Sequence, residues 1–87
     1  MQMDVLIEQL KMQIITVLDL RDIKPDDLDP DSPLFIEGLG LDSIDAIELI
    51  VLLEKEYGLK IEDPKERRTT LYSIRTMAEY IINNKKE

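Results

Sequence analysis

Met3, Ile7, Leu10, Ile14 and Val17 or Leu18 recur at helical spacing, with no Gly or Pro between them. The pattern predicts a first helix from about Met3 to Leu20 with this stripe in the core. Asp4 near its start suits the helix dipole. A second set, Ala46, Leu49, Ile50, Leu53 and Tyr57, falls on one narrow face at about 100° per residue. It predicts a central helix from Ser43 to Glu56 or Tyr57, with Gly58 as the C-terminal cap. Ile44, Ile47 and Val51 form a second apolar stripe on that helix, roughly 90–150° away. A helix packed only on its own domain rarely needs two such stripes. Ile44 and Val51 are therefore read as contacts for a partner or an apolar guest. Ile47 stays open between that role and packing on a neighbouring loop.

After Gly58 the chain is expected to bury Leu59 or Ile61. Asp63-Pro64 reads as a cap followed by the first helical residue, opening a short helix to about Arg68. Thr69 to Tyr72 is read as a connection. Ser73 then caps a last helix to about Asn83, whose apolar set is Ile74, Met77, Ala78, Ile81 and Ile82. The expected fold is an all-α four-helix bundle: three main helices plus one short third helix, with a long loop between helices 1 and 2. There is no internal repeat, and residues 1–87 read as a single domain.

The long loop runs from Arg21 to Leu41. Pro25, Pro30 and Pro33 argue against a regular helix through it. So long a loop is unusual in a small domain. It carries Leu28, Leu34, Phe35, Ile36, Leu39 and Leu41, side chains that would be wasted in a disordered linker. It is read as pinned down by them, with one short helical turn and Phe35 in the core. Asp27, Asp29 and Asp31 alternate as in a calcium loop. That pattern needs Gly at the sixth place and Glu at the twelfth. Counted from Asp27, those places hold Ser32 and Gly38, so the match fails.

Composition narrows the chemistry. There is no cysteine and no histidine. A disulfide framework and a thiolate are excluded, as is a hydrolase of the Ser-His-Asp type. No apolar run approaches the roughly 18 residues of a membrane span, and the N-terminus does not resemble a signal peptide. A soluble, cytoplasmic, monomeric protein is expected. The net charge is −8, and its distribution matters more than its size. Between Asp22 and Glu48 nine acids stand against Lys24 alone, so this segment carries all of it. Such a field repels nucleic acid and anionic membranes and attracts basic protein surfaces. A solvated acidic loop that only aids solubility fits the same pattern.

The candidate chemistry lies at the start of the central helix. Asp42 is placed to accept from first-turn N–H groups as an N-cap. Asp45 occupies the third helical position, as in a capping box. Ser43 becomes the first helical residue, with its hydroxyl at the positive end of the helix dipole, a suitable place for a phosphate ester. By position alone, Ser43 reads rather as an ordinary polar residue at a helix start.

The run Leu39-Gly40-Leu41-Asp42-Ser43-Ile44-Asp45, then Glu48-Leu49 and Leu53-Glu54-Lys55-Glu56-Tyr57-Gly58, resembles the acyl carrier protein family. The resemblance extends over about residues 3–83. It implies an acyl-carrier-like bundle in which Ser43, preceded by Asp42, carries 4′-phosphopantetheine placed there from coenzyme A by a phosphopantetheinyl transferase. The arm ends in a thiol, so a carrier of acyl thioesters can work without cysteine, and the protein is not itself an enzyme. By matching position, Asp42, Asp45 and Glu48 would meet basic docking patches on the transferase and on acyl-handling enzymes. Ile44 and Val51 would make apolar contacts there, and Ile47 and Ile61 would line a cavity for the acyl chain. Ile44 stands where the family often has Leu, and Lys65, Arg67 and Arg68 make the third helix basic where fatty-acid carriers tend to be acidic. The stretch from Ser32 to Leu41 is more similar to discrete carriers of specialised pathways, which leaves fatty-acid and polyketide-like cargo both open. A discrete aminoacyl or peptidyl carrier would share the serine chemistry. An unmodified helical interaction module would use Ser43 only as a helix-start residue.

Overall fold

The computed structural model describes residues 2–35 and 43–84. Among the described residues the helices are α1 (Met3–Val17), α2 (Ser43–Tyr57), α3 (Pro64–Thr70) and α4 (Ile74–Asn84), with a 3-10 turn at Pro25–Asp27. No strand occurs among the described residues, and the architecture is the expected all-helical bundle. α1 packs against α4 and α2, and α3 packs against α4. Leu6, Leu10 and Ile14 of α1, Leu49 and Leu53 of α2, and Ile74, Met77 and Ile81 of α4 are fully buried together.

The burial of α1 is wider than its predicted stripe. Leu6 and Ile7 are both buried, because α1 faces α4 on one side and α2 on the other. Leu52 likewise joins Leu49 and Leu53 inside, while Ala46, Ile50 and Tyr57 are half-buried. Lys11 is also buried and holds Glu8 at 2.9 Å. Its long stem covers apolar surface while the ammonium reaches its partner.

Helix ends follow local chemistry. α1 stops at Val17 rather than near Leu20, because Asp19 adopts a left-handed φ of 55°. The Leu20 N–H then caps the Ile15 carbonyl at 2.9 Å, and the Asp19 N–H reaches that of Thr16 at 3.3 Å. This is a Schellman ending with aspartate where glycine is usual. Gly58 ends α2 at φ 68°, and the Leu59 N–H caps the Leu53 carbonyl at 3.1 Å. Asp63 caps α3 by accepting from the Lys65 N–H at 2.9 Å, with Pro64 next. α3 continues through Thr69 and Thr70 instead of ending near Arg68, since the Leu71 N–H still reaches the Arg67 carbonyl at 2.9 Å. Ser73 and Thr76 cap α4 reciprocally: the Thr76 N–H donates to Ser73 Oγ at 3.2 Å and the Ser73 N–H to Thr76 Oγ1 at 2.9 Å. This is a capping box closed by threonine in place of Glu or Gln.

The loop after α1 is pinned as its apolar residues predicted. Leu28 and Leu34 are buried and Phe35 packs on the core; Ile36, Leu39 and Leu41 lie outside the described residues. The expected helical turn is the 3-10 turn, where the Lys24 N–H donates to Asp27 Oδ2 at 3.1 Å. The Asp31 N–H donates to Asp29 Oδ1 at 2.9 Å. These aspartates shape turns, and no metal-binding cluster occurs among the described residues. The Arg75 N–H donates to the Pro30 carbonyl at 2.9 Å, and its guanidinium pairs with Asp31. Tyr57 ties α2 to α1: its hydroxyl donates to Gln13 Oε1 at 2.5 Å and accepts from Gln9 Nε2 at 3.0 Å.

Candidate functional site

Ser43 is the first residue of α2 and is exposed. The fifteen-residue helix behind it is long enough to place a positive dipole end at the hydroxyl. Asp42, expected as the cap, lies outside the described residues. Asp45 is half-buried and Glu48 exposed, both on the first turns of the same helix.

Two faces diverge from Ser43 along α2. On one, Ile44 is 70% exposed and Val51 49%. Glu48 shares this side at helical spacing. Exposed isoleucine and valine beside an acid form a mixed apolar and anionic surface. On the other face, Ala46, Ile47 and Ile50 line a cavity of about 480 Å³. That volume falls within the about 300–1,000 Å³ range of small-molecule sites. The opposite wall comes from Pro33 and Phe35 of the loop, Arg67 and Arg68 of α3, and Leu71 and Tyr72 beyond it. The cavity thus fills the space between α2 and α3.

Ile47 sits on the seam. It lines the cavity and is 63% exposed, so it stands at the mouth, one turn from Ser43. Ile61 is 1% exposed and packs in the core; it is not among the lining residues. Phe35 both packs on the core and lines the cavity. Leu71, Tyr72 and Arg68 were absent from the sequence-derived site. They reach it from a segment far along the chain, and helical periodicity carries no signal for such a meeting.

The residues present suit a phosphopantetheine arm. Ser43 offers an open hydroxyl for a phosphodiester, and an apolar cavity begins one turn along the same helix. A family model described as the phosphopantetheine attachment site matches residues 8–81. An acyl carrier protein of Campylobacter hominis is 36% identical over 80 residues, covering 92% of this chain and 84% of that protein. This chain belongs to the acyl carrier protein family. Acyl carrier proteins are non-catalytic, and phosphopantetheine is their cofactor. An acyl carrier protein meets a phosphopantetheinyl transferase and acyl-handling enzymes. Among the described residues no helix is long and apolar enough to cross a membrane.

Proposed function

We propose that this acyl carrier protein bears its 4′-phosphopantetheine on Ser43 and passes acyl thioesters between the enzymes of a fatty-acid, polyketide-like or other specialised acyl pathway. The observation that carries the reading is the exposed Ser43 at the first position of α2, next to the cavity wall of Ala46, Ile47 and Ile50. In loading, Ser43 Oγ bonds to the phosphorus of coenzyme A that bears the pantetheine. The bond from that phosphorus to the nucleotide half breaks, and the serine proton leaves with the transferase's base. The arm supplies a terminal thiol that holds the acyl group.

The chain's own residues serve delivery. Asp42, Asp45 and Glu48 attract basic surfaces around the transferase and the acyl-handling enzymes. Ile44 and Val51 supply the apolar contact that follows. Charge-steered encounters with a small apolar contact form and dissociate quickly, as a shuttle requires. Ile47 is the gate residue of the acyl chamber in this reading. Ile61 acts from the core, its carbonyl holding Arg67 of the chamber wall. Residues 1–87 act as one carrier domain. The test is loading from coenzyme A by a promiscuous phosphopantetheinyl transferase, followed by peptide mass mapping. A phosphopantetheine on the peptide containing Ser43 supports the reading, and one on another residue overturns the site.

A further inference from the structure

The cavity is hydrocarbon on most of its surface, through Phe35, Ala46, Ile50 and Leu71, yet two arginines share its wall. In a chain with nineteen acids and eleven bases, an arginine has many carboxylates to choose from. The ion pairs among the described residues join Lys11 to Glu8, Arg21 to Asp19, Lys60 to Glu62 and Arg75 to Asp31. Arg67 and Arg68 take part in none of them. Arg67 donates its Nε–H to the Ile61 carbonyl at 2.6 Å. This fixes the side chain against the segment before α3 and leaves the two Nη groups without a partner among the described residues. Arg68 makes no side-chain hydrogen bond there either.

A guanidinium is always charged and offers its donors in a fork that fits a carboxylate with two parallel bonds. Both arginines are exposed at the cavity rim, so such a pair is modest in strength and screened by salt. A guest that covers the guanidinium with hydrocarbon and returns no acceptor is penalised. We propose that the cargo of this carrier is an amphipathic acyl chain bearing a carboxylate remote from its thioester. Its hydrocarbon lies along Ala46, Ile47 and Ile50, and its carboxylate is held by Arg68 with help from Arg67. The inference rests on the reading of Ser43 as the attachment point. It adds a selectivity that an all-apolar chamber lacks: a neutral alkyl chain of the same length is the disfavoured guest.

The test compares octanoyl with its ω-carboxy counterpart. Each is loaded on Ser43 from the corresponding coenzyme A thioester, on the parent and on Arg68→Gln. Hydroxylamine cleavage of the thioester reports shelter in the cavity, and the Arg Nε–H resonances report contact with the guanidinium groups. In the parent at low salt, the ω-carboxy form is expected to be cleaved about fivefold more slowly than the octanoyl form. The Arg68→Gln variant and high salt both erase that difference. Equal cleavage in the parent overturns the proposal, as does a difference that survives Arg68→Gln. The arm alone, without cargo, is the control for its own phosphate: an Arg68 shift of the same size there would assign the anion to the arm and overturn the cargo assignment. A folded chain that takes up no arm at Ser43 removes the attachment reading itself. Normal loading without the carboxylate effect removes only this inference.

Discussion

Leu34 and Tyr72 are joined through their backbones, the Leu34 N–H donating to the Tyr72 carbonyl at 2.9 Å. The bond ties the loop after α1 to the link between α3 and α4. Pro33 and Phe35 flank it on one side and Leu71 on the other, and all three line the cavity together with Tyr72. The chamber therefore depends on how this loop is anchored.

Leu34 is one of the buried anchors of the loop, with its side chain in the core cluster beside Leu28. Leu34→Ala should cost about 2–5 kcal/mol in urea unfolding, the range for removing a buried leucine side chain. The exposed Asp31–Arg75 pair holds the same loop from outside. Asp31→Ala should cost less than about 1 kcal/mol, and that cost should shrink as salt is added. A larger loss for Asp31→Ala than for Leu34→Ala would reverse the assignment of what anchors the loop.

Gly58 separates backbone strain from packing. Its φ is 68°, and a Cβ added there would meet nothing within 4 Å. Gly58→Ala should therefore destabilise by about 1 kcal/mol through conformation alone. Urea unfolding measures the loss. No change would mean that the turn after α2 readjusts without cost.

Much of this architecture can be read from the chain because its signals are local. The Asp63-Pro64 start, the Ser73 cap and the Gly58 ending are each set by a residue whose chemistry allows little else. The end of α1 was harder to read, because Asp19 takes the left-handed position that a glycine would have announced. Leu6 and Leu52 were missed because a single narrow stripe understates a helix packed on two sides. The outward stripe of Ile44, Ile47 and Val51 could be read in advance, since two apolar faces on one helix exceed what its own core needs. The cavity wall could not. It joins residues near positions 34, 47, 67 and 72, and no spacing rule relates such distant parts of the chain.

Tyr57 gives the fold a pH dependence. Its pKa lies above the usual 10.0, chiefly because partial burial disfavours the phenolate. That of Tyr80 is also raised, by burial first and then by its hydrogen bond to Glu66. A proton held more tightly in the folded state stabilises the fold fully below the unfolded pKa. That contribution is lost as pH rises through the folded value. Stability should therefore fall as pH climbs past about 10, and Tyr57→Phe should flatten part of that fall. At neutral pH the same variant should lose about 1 kcal/mol, for the bonds to Gln9 and Gln13. Thermal unfolding followed across alkaline pH checks both, and a parent whose stability rises over that range would contradict the assignment.

Charge steering is tested on α2 itself. The Asp45→Lys and Glu48→Lys double variant should bind a phosphopantetheinyl transferase more weakly, with the largest loss at low salt. Binding kinetics should show the change mainly in the association rate. An affinity that matches the parent at every salt concentration would remove the steering role of these acids.

The central claim is that Ser43 carries the arm. Intact mass is measured after incubation with coenzyme A and a phosphopantetheinyl transferase, for the parent and for Ser43→Ala, with circular dichroism to show that both are folded. The account predicts the mass of one phosphopantetheine added to the parent and none to Ser43→Ala. A folded Ser43→Ala that still gains the arm would contradict it.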